Sequence, residues 1–376
     1  MKQNQIQLVL SALIGFFLGI EWMTKFRFHA LVGLGEIIYV MVVIYLLIKL
    51  LPELLSFERN PYGGLKLYFL TTVVLILPTV TLIFYFFSDL KGIGIYYLFI
   101  YAMNLLFTFL LIEGWKKEYI NLKIVLFALI ITFTSTYLIS LGAKDIYEST
   151  LFGRFAGFAT NPNKPMIYVI SILLLSAMFA RKYFAYFLIF SLFVSFFTGS
   201  DAGLISLIFG ITVYLTLYTY NFLFKSLTTK IIILSALVLF FILYFDQIIN
   251  SLIQFDQGSR RILLLANGLE ALSVSPIFGY GVGSFSGIVK PFEGIEAHNT
   301  FIDLSLQFGL IFVLTILIIM FYASINLLKQ KDFIVFSTFM SFLLYINFHF
   351  VARHPIFWVL ISVLIMYLDN KNIFQK

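Results

Sequence analysis

Chemistry-bearing residues cluster in a few short stretches of a chain that is otherwise mostly hydrocarbon. In EAHNTFIDLSLQFGL (296–310), His298 stands at the head of a long apolar run. On a helix, Asn299, Asp303 and Gln307 would follow at i, i+4 and i+8 on one stripe. At 1.5 Å per residue that stripe descends about 13 Å from His298. Ionisable groups at such depth cost at least about 2.5–3.5 kcal/mol each, so they belong against the bundle interior or a wet cavity. A histidine with an ordinary pKa of about 6.5 can take a proton from a hydroxyl at neutral pH. The residues alone leave that role level with a helix cap and one polar helix contact.

Arginines are the second signal. Arg260 and Arg261 open a predicted helix, where the dipole favours acids instead. They read either as headgroup anchors or as a clamp on phosphate oxygens, and two adjacent forks suit a diphosphate. Arg154 lies in GRFAGFATNPNKP (153–165), a turn leading into a helix whose first turn accepts Pro165. Arg353-His354-Pro355 offers a further cation or an interfacial anchor. TGSDAG (198–203) reads as a tight turn with Asp201 at its tip. GYGVG (279–283) lacks the preceding strand and following helix of a dinucleotide loop. Its glycines suit close approach of backbone to a neighbour or ligand. No cysteine occurs, so disulfides and thiolate metal sites are excluded. The histidines at 29, 298, 349 and 354 show no metal-cage spacing.

The elements that must position these residues are membrane helices. Hydrophobic residues make up 61% of the chain and charged residues only 11%, against about 25% charged in a soluble domain. The expected fold is all-α, a polytopic transmembrane bundle of about twelve spans forming a single integral membrane domain over residues 1–376. The spans fall near 6–22, 29–51, 65–87, 92–112, 122–142, 165–180, 183–198, 203–224, 230–246, 298–328, 333–350 and 354–368. The first lacks a cleavage site and reads as a retained helix. With both termini in the cytoplasm, lysine and arginine concentrate on the inner side, as the positive-inside rule requires. The net charge of +7 is then accounted for without nucleic acid. That orientation leaves one large external (periplasmic) loop, 247–297, containing a helix of about sixteen residues from 258, then Pro276 and a glycine-rich turn. Long ordered loops are usually functional.

Four stretches, RFAGFATNPN, TGSDAG, RILLLANGLEALSVSPIFGYGVGSF and HNTFIDLSLQFGL, occur in the order found in the O-antigen polymerase and O-antigen ligase superfamily of bacterial membrane glycosyltransferases, which the chain resembles over most of its length. The resemblance implies an inverting transfer on the outer face of the inner membrane, without metal, nucleotide or other cofactor. The donor would be an undecaprenyl-diphosphate-linked oligosaccharide and the acceptor a sugar hydroxyl. His298 would act on the acceptor and Arg261 would hold the donor diphosphate, with Arg260, Arg154, Asn299, Asp303 and Arg353 as substrate-binding candidates. A flippase and a chain-length regulator would be partners besides membrane lipids. The family usually has Ser-Arg in the turn where this chain has Ser200-Asp201. Arg260, Arg154 or Arg353 must compensate, or the donor sits differently. This divergence favours a polymerase; a ligase acting on lipid A-core, or a lipid-linked oligosaccharide flippase, are the alternatives. A transporter would be expected to carry internal repeats and a midplane site, whereas the polar groups here gather on one face.

Overall fold

A computed structural model describes residues 3–26, 33–55, 91–143, 150–151, 154–223, 256–283 and 295–369. The described helices are α1 (Gln3–Ile20), α2 (Leu34–Leu55), α3 (Lys91–Lys116), α4 (Leu122–Gly142), α5 (Lys164–Phe179), α6 (Phe184–Thr198), α7 (Asp201–Leu223), α8 (Asp256–Val274), α9 (Thr300–Lys329), α10 (Phe333–Ile346) and α11 (Pro355–Asp369). A two-residue hairpin, β1 (Thr150–Leu151) with β2 (Arg154–Phe155), precedes α5. All except α8 coincide with expected spans to within a few residues. The expected spans at 65–87 and 230–246 lie outside the described residues. Five described segments are long and apolar enough to cross a membrane, and four more are apolar but shorter.

The bundle is organised around α5 and α11. Both are apolar on every side, and such helices belong in an interior. In α5, residues 164 to 178 are all buried. Small residues bring other helices close: a Cβ on Gly15 of α1 would lie 2.3 Å from the Val125 carbonyl oxygen of α4, the kind of backbone contact by which membrane helices associate. Outer faces carry Phe196, Tyr186 and Ile189 on α6 and Phe321 and Ile311 on α9, all exposed. These are surfaces for lipid tails, which helices can meet because their backbone groups are paired internally.

One helix departs from expectation. α9 is broken at Gly309, whose backbone (φ 79, ψ 167) is not helical. The glycine-rich segment after α8 fills the break. Tyr280 N–H donates to the Leu306 carbonyl at 2.6 Å, and Leu310 N–H donates to the Pro276 carbonyl at 2.9 Å. Peptide groups that a broken ladder would strand are thereby satisfied. A Cβ at position 309 would sit 1.7 Å from the Ile277 carbonyl oxygen, so only glycine fits. Gly279, Gly281 and Gly283 all adopt positive φ, which threads the segment past α9. Asn299, expected on the helix stripe, is instead the N-cap of α9, accepting from Phe301 N and Ile302 N.

Candidate active site

The segments joining these helices collect at one end of the bundle. Thr24 bonds Thr160, Asn299 bonds Asn347, Thr300 bonds the His349 carbonyl, and Arg154 bonds the Thr198 carbonyl. Together they enclose a polar cavity of about 350 Å³ whose walls include His298, His349, Glu296, Arg353, Lys164 and Asn163.

His298 reaches this cavity through an uncommon backbone. It has φ 56, a left-handed conformation that non-glycine residues hold only when their surroundings enforce it. Asp303 supplies that enforcement. Its two carboxylate oxygens accept from Ala297 N (2.8 Å) and Asn299 N (3.1 Å), the amides on either side of His298. Asp303 is 0% exposed, and Gln307 continues the scaffold by accepting from Gly283 N and donating to the Asp303 carbonyl. Asn299 caps α9 and donates to Asn347. The polar stripe therefore fixes the backbone behind His298; neither Asn299 nor Asp303 is in the cavity wall. Glu296 lies in front, its Oε2 4.0 Å from His298 Nδ1 and its Oε1 paired with Arg353. Burial opposes the Arg353 charge, but Glu296 and Tyr97 more than offset it, so its pKa rises.

The arginines separate into roles. Arg154 donates from Nε to the Thr198 carbonyl (3.0 Å) and from Nη2 to Asn163 Oδ1 (2.9 Å), an atom that also accepts from Ser200 Oγ at 3.1 Å. Arg154 thus lies on the TGSDAG turn, over Gly199, and feels the charge of Asp201. At the place where the family usually carries an arginine in the turn itself, this chain brings one from β2. Arg261, the sixth residue of α8, shares the environment of Asp201, Arg154 and Tyr345. Burial lowers the pKa of both arginines, and Asp201 counters it. Both remain cations at any physiological pH. Arg260 belongs to α8, but its side chain lies outside the described residues.

The sequence reading missed three groups. Glu21, Lys164 and His354 form a buried trio, with Lys164 Nζ 3.1 Å and His354 Nδ1 3.6 Å from Glu21 Oε1. His349 stands beside His298, ring centroids 6.4 Å apart, and against Tyr345 at 4.8 Å. Tyr345 and Asn163 join the elements, the tyrosine hydroxyl donating to the Asn163 carbonyl at 2.8 Å. One signal was available: FHFVARHP (348–355) connects two expected spans on the side of the large loop, and it carries two histidines and an arginine. A second cavity of about 510 Å³, lined mostly by apolar residues of α2 and α3, meets the polar one at Glu21, Ile100 and Arg353.

Residues 186–317 match the O-antigen ligase family. The matched stretch runs from α6 into α9 and contains the TGSDAG turn, Arg261, the glycine-rich segment and His298. It bears out the resemblance to the O-antigen polymerase and ligase superfamily. Members of this family are glycosyltransferase-like membrane enzymes. No curated protein matches the chain. Arg154, Arg353, His349 and the buried trio all lie outside the matched residues, so the family segment supplies only part of the cavity that the whole chain builds.

Proposed function

We propose that the chain is a metal-independent, inverting glycosyltransferase that polymerises undecaprenyl-diphosphate-linked repeat units of a surface polysaccharide. It would work in the inner membrane with both termini in the cytoplasm and the cavity facing outward. The observation that carries this reading is one polar cavity walled by His298, His349 and Arg353, with Arg261 and Arg154 outside its wall but close enough for their charges to act on His349. In this reading His298 takes the proton of an acceptor hydroxyl. The hydroxyl oxygen attacks the anomeric carbon from the face opposite the leaving group. The bond from that carbon to the diphosphate breaks, and the electron pair leaves with the diphosphate. Arg261 and Arg154 oppose the charge that develops there, an electrostatic contribution that is usually large. Glu296 favours the imidazolium that His298 becomes.

Polymerase is preferred to ligase because two cationic sites flank the histidines. Arg154 and Arg261 suit the donor diphosphate. Arg353, at the junction of the polar and apolar cavities, suits the diphosphate of a second lipid-linked glycan whose polyprenyl tail follows the apolar one. A polymerase uses two such substrates. The test is deletion of the gene followed by gels of surface glycan. Single repeats left on the core support polymerase. Long glycan retained on the carrier lipid would mean ligase instead, and failure to export repeats would mean a flippase.

A further inference from the structure

His349 occupies the turn between α10 and α11 and is only 7% exposed, yet it lines the polar cavity. Its Nε2 is buried and has no hydrogen-bond partner among the described residues. Buried polar atoms are nearly always paired, and one left without a partner in a cavity wall asks for a ligand atom. The ring cannot swing away to find another partner. It packs at a tilt against Tyr345, ring centroids 4.8 Å apart, and its own carbonyl is fixed by Thr300 Oγ1 at 2.6 Å, which in turn accepts from Val351 N at 3.0 Å.

We propose that His349 Nε2 accepts a hydrogen bond from a hydroxyl of the acceptor sugar, holding that sugar against His298. Burial, then Arg261, His298, Arg154 and Arg353, push its pKa well below the ordinary histidine range. A neutral imidazole keeps a lone pair on one nitrogen, and in the proposed contact the Nδ1–H tautomer places it at Nε2, facing an O–H donor. It is a poor proton acceptor in such surroundings, which separates its task from that of His298: one histidine orients, the other deprotonates. A phosphate would find no donor at an unprotonated Nε2, whereas sugar hydroxyls are donors. The identity of the ligand as a sugar rests on the transferase reading; the ligand atom at Nε2 does not.

The test uses the full chain in detergent, with lipid-linked glycan extracted from the producing cells as substrate. His349→Phe keeps the ring against Tyr345 and removes the acceptor; His349→Gln restores a polar group near Nε2. His349→Phe is expected to raise the acceptor KM about tenfold, the worth of one neutral hydrogen bond, with the donor KM unchanged and His349→Gln recovering most of the loss. Equal rises in both KM values, or no rise, would overturn the proposal. In parallel, imidazole NMR of the wild type follows addition of the free oligosaccharide released from the same extract by mild acid. A shifted resonance that disappears in His349→Phe supports the contact, while shifts that spare His349 sink it. Absence of any transfer by the wild type would defeat the transferase reading, and the NMR arm would still decide whether His349 meets a sugar.

Discussion

Two trios in this protein have the same composition, a glutamate, a basic side chain and a histidine, and both line the polar cavity. In Glu21, Lys164 and His354, the side chains are 8–9% exposed. In Glu296, Arg353 and His298 they are 17%, 35% and 38% exposed. The first trio comes from the ends of α1, α5 and α11, where all three side chains are buried. The second comes from the turns at 295–299 and 347–354, at the rim. Burial pulls the His354 imidazole down to about 4 despite Glu21. Burial also acts against Glu21, but Lys164 and His354 outweigh it and hold that carboxyl at about 2. The trio is therefore an ion pair with a neutral histidine, locked across physiological pH. Residue types alone do not mark a reactive site; access to a ligand separates the two trios.

Four experiments can break that contrast or sharpen it. His298→Ala should lower transfer by roughly 10²–10⁴-fold, the range for a general base, with the unfolding midpoint in detergent unmoved. Retained turnover would place the base elsewhere. Lys164→Met should do the reverse: it leaves Glu21 charged and buried, at a cost of about 3–5 kcal/mol in stability. Its turnover per folded molecule should suffer far less than that of His298→Ala, and equal losses of activity would erase the distinction. The third experiment is a pH series on unfolding. His354 is neutral when folded and titrates at about 6.5 when unfolded, so below that pH the unfolded chain binds more protons. Stability should fall as pH drops from 6.5 toward 4, by on the order of 3 kcal/mol, with a further loss from Glu21 between 4.5 and 2. His354→Gln should flatten the first step, and an unchanged profile in that variant would contradict a buried neutral histidine. The smallest effect belongs to Glu296→Gln. Losing a partly exposed carboxylate 4.0 Å from His298 should cost about tenfold in turnover, worth about 1.4 kcal/mol, and shift the acid limb of the pH–rate profile to lower pH, because an imidazolium without its carboxylate gives up its proton more readily. A profile that does not move would detach Glu296 from His298.

The helices were legible because hydrocarbon runs report directly on burial in a bilayer. α4 falls at the expected 122–142, and the two short spans around Arg181 are separate helices as read. What sequence periodicity could not show was which polar residues face a cavity and which face the backbone. Asp303 was conspicuous as a carboxylate inside an apolar run, and it holds the backbone of a residue in the cavity wall. Its work is two hydrogen bonds to the amides of Ala297 and Asn299, six and four residues upstream and outside the helix, which no spacing rule reveals. Glu21, Lys164 and His354 are far apart in the chain and each is unremarked locally, so only tertiary packing brings them together. The departure at Ser200-Asp201 was visible, and choosing Arg154 as the cation on that turn required its bond to Thr198.

The break in α9 also changes what the bilayer has to accommodate. Below Gly309, Leu310 to Lys329 would rise about 30 Å as a straight helix, close to the thickness of the hydrocarbon layer. Above it, Thr300 to Phe308 is clasped by the segment that follows α8. If the lower piece alone crosses the lipid, Asp303 and Gln307 ride in a protein cap seated on the membrane, and the insertion penalty assigned to a continuous helix never arises. The cap and the span would then answer to different solvents. A thinner bilayer would load the lower piece first, leaving the clasp and the backbone of His298 as they are.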